Sequence, residues 1–145
     1  MKKLFIATLF AASLFSSAFA ADANKVNRRT INTFQYEFKG ATNVEWDVKS
    51  NFSKASFTVG GENVQAFFDT EGTLIGTSRS LTVDKLPTDV KRAFAKKYSN
   101  YEITESIKFD DVDNTSYYIS ANNENEVVIL KITNGSFSVF KKNSK

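Results

Sequence analysis

The sequence predicts an α+β fold made of two tandem repeats, each a helix followed by a four-stranded antiparallel meander. Two segments, residues 25–38 and 87–98, carry apolar residues at helical spacing. Each is followed by four short segments with apolar residues at alternate positions, separated by turns rich in glycine, asparagine and aspartate. The two halves align at an offset of about 60 residues, which indicates an internal duplication. Joined side by side, the two repeats are expected to form one eight-stranded sheet with both helices on the same face, a two-layer structure.

Both predicted helices have a single apolar stripe. The stripes consist of Ile31, Phe34 and Phe38 in the first helix and of Val90, Phe94 and Tyr98 in the second. Gly40 lies where the first helix is expected to end. Pro87, the only proline, suits the first turn of the second helix, where its missing N–H costs nothing.

The strand pattern is clearest after the first helix. Val44, Trp46 and Val48 alternate with charged residues, which is typical of a half-buried strand. Gly60 and Gly61 predict a tight hairpin turn. Because short turns join consecutive strands, the strands are expected to pair in sequence order.

The first 20 residues have the three zones of an export signal. Lys2 and Lys3 precede an apolar run over residues 4–15, and Ala18-Phe19-Ala20 forms a small-x-small cleavage site. The predicted domains are therefore a signal peptide at 1–20, a first repeat at 21–84 and a second at 85–145. The apolar run is short for a bilayer span, although an uncleaved anchor is the alternative. The expected mature protein is periplasmic or secreted, with no membrane span after cleavage.

Composition excludes several classes of function. The chain contains no Cys and no His, so it lacks thiol chemistry, the usual general base and the commonest metal ligand. We therefore expect no enzyme activity, no catalytic or metal site and no cofactor. Removal of Lys2 and Lys3 with the signal leaves a formal charge of +1, which predicts no nucleic-acid binding.

Carboxylates cluster in one predicted turn, residues 110–114, which contains Asp110, Asp111, Asp113 and Asn114. Oxygen ligands from a loop suit Ca²⁺, but the spacing departs from that of an EF-hand loop. A polar hairpin turn is the preferred interpretation, and weak calcium binding is the alternative.

The side of the predicted sheet turned away from the helices, here called the far face, is unusually apolar. Alternation places six apolar residues there together with polar ones such as Glu45, Lys54 and Gln65. The six form the predicted partner-binding surface: Phe52, Phe67, Tyr118, Val127, Ile129 and Phe140. An open apolar patch with a polar rim often marks a binding site. The alternatives are that a second copy or the termini cover it, or that the register is shifted by one residue.

The mature chain resembles the PepSY-like, β-lactamase-inhibitor-like family of exported bacterial proteins. The resemblance rests on Val44-Glu45-Trp46, on residues 55–59 and 66–72, and on Leu86-Pro87. It implies the helix-and-meander duplication and a sheet like that of inhibitors that grip an enzyme with a concave surface.

These features together predict an exported, non-enzymatic binding module whose partner is a protein or peptide of the cell envelope. An inhibitor-like domain that uses the open sheet face is one form of this function. The alternative is a carrier of a small apolar ligand or envelope component, because the chain is rich in aromatic residues.

Overall fold

The computed structural model describes residues 25–144, and the predicted signal peptide lies outside them. The first half of the described chain contains α1 (Arg28–Glu37), β1 (Thr42–Val48), β2 (Ser53–Val59), β3 (Glu62–Phe68) and β4 (Leu74–Leu81). The second half contains a 3₁₀ turn (Val83–Lys85), α2 (Thr88–Lys97), β5 (Glu102–Asp111), β6 (Thr115–Asn122), β7 (Glu126–Thr133) and β8 (Ser136–Ser144).

All eight strands form one antiparallel sheet in sequence order, from β1 to β8. Two hairpins close with two-residue turns, Gly60-Gly61 and Asn134-Gly135, and all four residues have positive φ angles between 51° and 79°. Positive φ at both central positions matches the right-handed twist of the flanking strands, and glycine and asparagine adopt it most readily. The glycines thus set the register of β2 with β3 and of β7 with β8.

The prediction of two helix-plus-four-strand repeats is wrong as a description of the architecture. β4 pairs with β5 from Gly76 opposite Asp111 to Leu81 opposite Ser106, so the sheet is continuous across the predicted boundary. A strand edge left unpaired between two repeats would expose a row of N–H and C=O groups. The pairing satisfies these groups and makes the chain one sheet carrying two short helices.

Both helices pack on the same face of this sheet, each over its own group of buried side chains. Phe34 of α1 lies against Phe57, Trp46 and Phe38, with ring centroids 5.0, 5.3 and 5.4 Å apart. Asn27 caps α1, since its side chain accepts a hydrogen bond from the Arg29 N–H at 2.9 Å. The group under α2 is built from Leu86, Val90, Phe94, Ile119, Ala121, Val128, Leu130 and Ile132.

A row of charged residues separates the two groups on the helix-bearing face. Arg79 on β4 pairs with Glu62 at 3.0 Å, and its backbone neighbour Lys108 on β5 pairs with Asp110 at 2.9 Å. Asp110 also accepts a hydrogen bond from the Thr115 hydroxyl at 2.6 Å. The helix-bearing face therefore has two apolar cores with a polar strip between them.

Candidate partner-binding surface

The far face carries a third apolar cluster, which extends from the turn between β1 and β2 to β8. Its buried members are Phe52, Phe67, Ile107, Phe109 and Tyr118, and half-buried Ile75, Ile129 and Phe140 pack against them. This set is called the far-face cluster below. Its rings form a chain: Phe52 lies 6.2 Å from Phe67, and Phe67 lies 6.1 Å from Phe109. Tyr118 meets Phe140 edge-on at 5.5 Å.

Gly76 leaves room for the two halves of this cluster to come into contact. β4 runs between Phe67 on β3 and Phe109 on β5, and Gly76 lies directly opposite Phe67. A Cβ atom at position 76 would lie 2.8 Å from the Phe109 ring and 2.6 Å from the Asp110 carbonyl oxygen. Because glycine has no side chain, the Phe109 ring can lie across β4 and reach Phe67.

The central side chains of the far face are more buried than those of an open sheet face. Phe67 is 1% exposed and Tyr118 2% exposed, yet α1 and α2 both pack on the opposite face of the sheet. Side chains on a flat, uncovered sheet would remain open to solvent. Ring contacts from Phe52 to Phe67 and Phe109, and between Tyr118 and Phe140, contribute to this burial.

The six residues predicted for partner binding fall into two groups in the structure. Phe52, Phe67 and Tyr118 are buried within the cluster. Val127, Ile129 and Phe140 are half-buried, and the last two lie at the β7–β8 margin of the cluster. Of the six, the residues that keep accessible apolar surface therefore lie on β7 and β8, and half-buried Ile75 on β4 adds to that surface.

Sequence alternation missed Ile75, Ile107 and Phe109 as far-face residues. The pairing of β5 with β6 is irregular between Ile103 and Glu105. One extra residue changes which side the following side chains face. Ile103 consequently packs under α2, whereas Ile107 and Phe109 face the other way. The polar pair Thr104-Glu105 in an otherwise alternating strand is the one sequence signal of this bulge.

A polar groove of about 440 Å³ lies beside the cluster. Its far-face lining is Asn43, Glu45, Ser56, Thr58, Asn63, Gln65, Ser78, Ser80, Glu105 and Ile107. Hydroxyl and amide groups join neighbouring strands there: Thr58 donates to Asn63 at 3.1 Å, and Ser78 donates to Gln65 at 3.4 Å. The groove thus has a polar lining held in place by bonds between strands, and it meets the cluster at Ile107.

Glu105 is the electrostatically distinctive residue of the groove. Burial raises the pKa of its carboxyl group above the ordinary glutamate value. No ion pair or side-chain hydrogen bond within residues 25–144 involves Glu105. Arg79, the basic residue among those lining the groove, is held by Glu62. A cationic or hydrogen-donating group of a partner would therefore find an unoccupied acceptor at Glu105.

Tyr118 lies at the floor of the far-face cluster. Burial raises the pKa of its phenol, and the carboxylate of Asp111 acts in the same direction. The Lys131 ammonium group lies 5.8 Å from the ring centroid, within the range of a cation–π contact. The phenol is consequently held in its neutral form and contributes apolar area to the site.

The carboxylates of Asp110 and Asp111 accept hydrogen bonds from groups within and next to the 110–114 turn. Asp111 accepts from the backbone N–H groups of Asp113 and Asn114 at 2.8 and 2.7 Å. Burial opposes ionisation of Asp110, but the bonds from Thr115 and Lys108 outweigh it and lower the pKa of Asp110. Across the described part of the chain, no three acidic side chains converge in a way that could hold a metal ion.

Within residues 25–144, neither helix has the length and apolar character needed to cross a bilayer. No family model matches the sequence, and no curated protein matches it either.

Several solved structures share the fold. A DUF2874 family protein from Bacteroides ovatus has a TM-score of 0.74 at 19% identity, covering 86% of this chain and 89% of that protein. A BLIP-like protein from Bacteroides fragilis has a TM-score of 0.70 at 17% identity, with coverages of 81% and 85%. A Bacteroides eggerthii protein named for a periplasmic location has a TM-score of 0.72 at 13% identity, with coverages of 83% and 90%.

None of these three proteins is named as an enzyme. At such identities the likeness shows the fold alone, and the PepSY part of the resemblance is not shown by it. The β-lactamase-inhibitor-like part of the resemblance is supported, and the chain has a BLIP-like fold.

Proposed function

We propose that this protein is an exported, non-enzymatic module that binds a protein or peptide of the bacterial envelope through its far face. The observation that carries the proposal is an apolar cluster on the sheet face opposite the helices, with half-buried residues at its β7–β8 margin and a polar groove beside it. Export is supported by the signal-like segment at residues 1–20 and by the likeness to a protein named for a periplasmic location.

The proposed contact surface has two parts. Ile129 and Phe140 at the β7–β8 margin supply apolar area, while Glu105 and Glu45 supply acceptors in the groove. The buried rings of Phe52, Phe67 and Tyr118 hold this surface rigid, which limits the entropy lost on binding. A partner that places apolar side chains on the margin and a basic side chain in the groove would satisfy both parts.

The likeness to a BLIP-like protein is compatible with this use of the sheet. The fold by itself does not establish inhibition of an enzyme. The polar lining of the groove suits a peptide or protein better than the alternative cargo, a small apolar ligand.

The proposal predicts that Phe140→Asp removes capture of the partner while Val139→Asp preserves it. Both residues lie on β8, but Val139 pairs with Leu130 of the α2 core and is 54% exposed, whereas Phe140 packs on the far-face cluster. A charge placed at the apolar margin loses buried contact area and carries a desolvation cost. Typical hot-spot losses of about 2 kcal/mol or more correspond to at least a 30-fold weaker complex.

The measurement is a crosslinking pull-down from host envelope extract with residues 21–145, after thermal melts have shown that both variants are folded. If one prominent crosslinked species is lost with Phe140→Asp and kept with Val139→Asp, the result supports the far face as the binding site. Equal capture by both variants contradicts the proposal.

A further inference from the structure

The molecule is electrically polarised between its two layers. The helix layer, defined as residues 25–41 and 82–101, contains nine basic and three acidic residues, a formal charge of +6. The strands and hairpins of residues 42–81 and 102–144 contain seven basic and twelve acidic residues, a formal charge of −5. The small net charge of the chain therefore conceals a basic face and an acidic body.

Most cations of the helix layer are exposed. Six that are exposed and take part in no ion pair among residues 25–144 are Arg28, Arg29, Lys85, Arg92, Lys96 and Lys97. The ion pairs of the described chain instead join residues of the strands and hairpins. The positive charge of the helix layer is thus available to an external anion.

Two of these cations oppose the stability of their own helix. Arg28 and Arg29 occupy the first turn of α1, which contains no acidic residue. The N-terminus of a helix carries partial positive charge, so acidic residues are favoured there and basic ones are not. In α2, by contrast, Asp89 lies in the first turn and Lys96 and Lys97 in the last. Helix stability accounts for the charges of α2 but not for the two arginines of α1.

An exposed tyrosine lies in the same outward stripe. Arg29, Asn32 and Tyr36 on α1 and Lys39 just beyond its end follow one another at intervals of three and four residues, and all are exposed. Tyr36 is 74% exposed, and the Lys39 ammonium group lies 5.7 Å from its ring centroid. A tyrosine flanked by basic residues is typical of a surface that meets the interfacial region of a bilayer.

We propose that the helix layer docks on an anionic lipid surface, with α1 in contact with the headgroups. Clustered basic residues bind anionic lipids through electrostatic attraction. The protruding Tyr36 favours a lipid interface over a nucleic acid. This docking uses the face opposite to the partner-binding surface, so it holds or fails independently of the proposed function.

The test uses residues 21–145 and the double variant Arg28→Glu, Arg29→Glu. Cosedimentation is measured with vesicles of phosphatidylcholine, with and without phosphatidylglycerol, at low and high salt. Each cation near an anionic surface contributes about fivefold to partitioning, so loss of both arginines lowers binding about 25-fold or more. The melting temperature stays the same or rises, because the glutamates suit the helix N-terminus.

The matched control reverses two exposed lysines of the strand layer, Lys49→Glu and Lys141→Glu, which changes the net charge equally. The proposal expects the wild type and this control to bind phosphatidylglycerol vesicles and to dissociate at high salt. Equal loss in both double variants would show a response to net charge alone and overturn it. Three other results would also overturn the proposal. They are undiminished vesicle binding by the arginine variant, equal binding of the wild type to vesicles with and without phosphatidylglycerol, and binding of the wild type to heparin but not to vesicles.

Discussion

Replacing Phe67 with alanine is expected to lower the free energy of unfolding by about 3–5 kcal/mol. Phe67 is 1% exposed and lies between the rings of Phe52 and Phe109. The helix-bearing face has two separate cores, so the far-face cluster is the apolar contact that joins the two halves of the sheet. Removal of the Phe67 ring leaves a cavity where the two halves meet. The surrounding structure closes such a cavity only in part.

Urea unfolding measured by far-UV circular dichroism and by Trp46 fluorescence tests this prediction. Trp46 is the only tryptophan and lies under α1 on the other face. If the sheet is one cooperative unit, the two signals change together and shift together in the variant. Tyr36→Ala, at a site that is 74% exposed, is the control and changes stability by about 0.5 kcal/mol or less. A Phe67→Ala loss no larger than that of the control would contradict the role given to the cluster.

Phe34→Ala is expected to cost a similar amount, about 3–5 kcal/mol, on the opposite face. The Phe34 ring contacts Phe38, Trp46 and Phe57 and is the main attachment of α1 to the sheet. A helix of ten residues is too short to be stable without tertiary contacts. Loss of this ring therefore weakens α1 as well as the core beneath it.

Hydrogen exchange and tryptophan emission distinguish this outcome from a general loss of stability. Relative to the wild type, the exchange rates of the α1 amides rise more than those of the β6 and β7 amides. Trp46 emission moves to longer wavelength. Asn32→Ala is the matched control, since Asn32 is exposed on the same helix. Uniformly increased exchange with unchanged emission would show that Phe34 does not anchor α1 over Trp46.

Apolar periodicity located most of the elements correctly. The helix predicted over residues 25–38 corresponds to α1, Arg28–Glu37. The helix predicted over residues 87–98 corresponds to α2, Thr88–Lys97. The glycine pair at 60–61 is the predicted hairpin turn. These features are local, so the sequence of each segment is enough to determine them.

Features that depend on contacts between strands were not predictable in the same way. The likeness between the halves suggested two repeats, but β4 satisfies its edge by pairing with β5. Alternation can assign Phe67 and Tyr118 to a side of the sheet, but it does not predict the contacts with rings from other strands that bury them. The bulge between Ile103 and Glu105 turned Ile107 and Phe109 to the far face. The groove unites residues from five strands, so only the folded sheet reveals it.

Site-specific photocrosslinking in the host envelope tests the central claim most directly, because it asks which face of the sheet a partner covers. A photoreactive phenylalanine analogue would replace Phe140 in one variant and Val139 in another. The two positions are adjacent on β8 and face opposite sides of the sheet. Our account predicts a discrete crosslinked species from position 140 and none of the same mass from position 139. Crosslinks of equal yield from both positions, or from position 139 alone, would contradict partner binding through the far face.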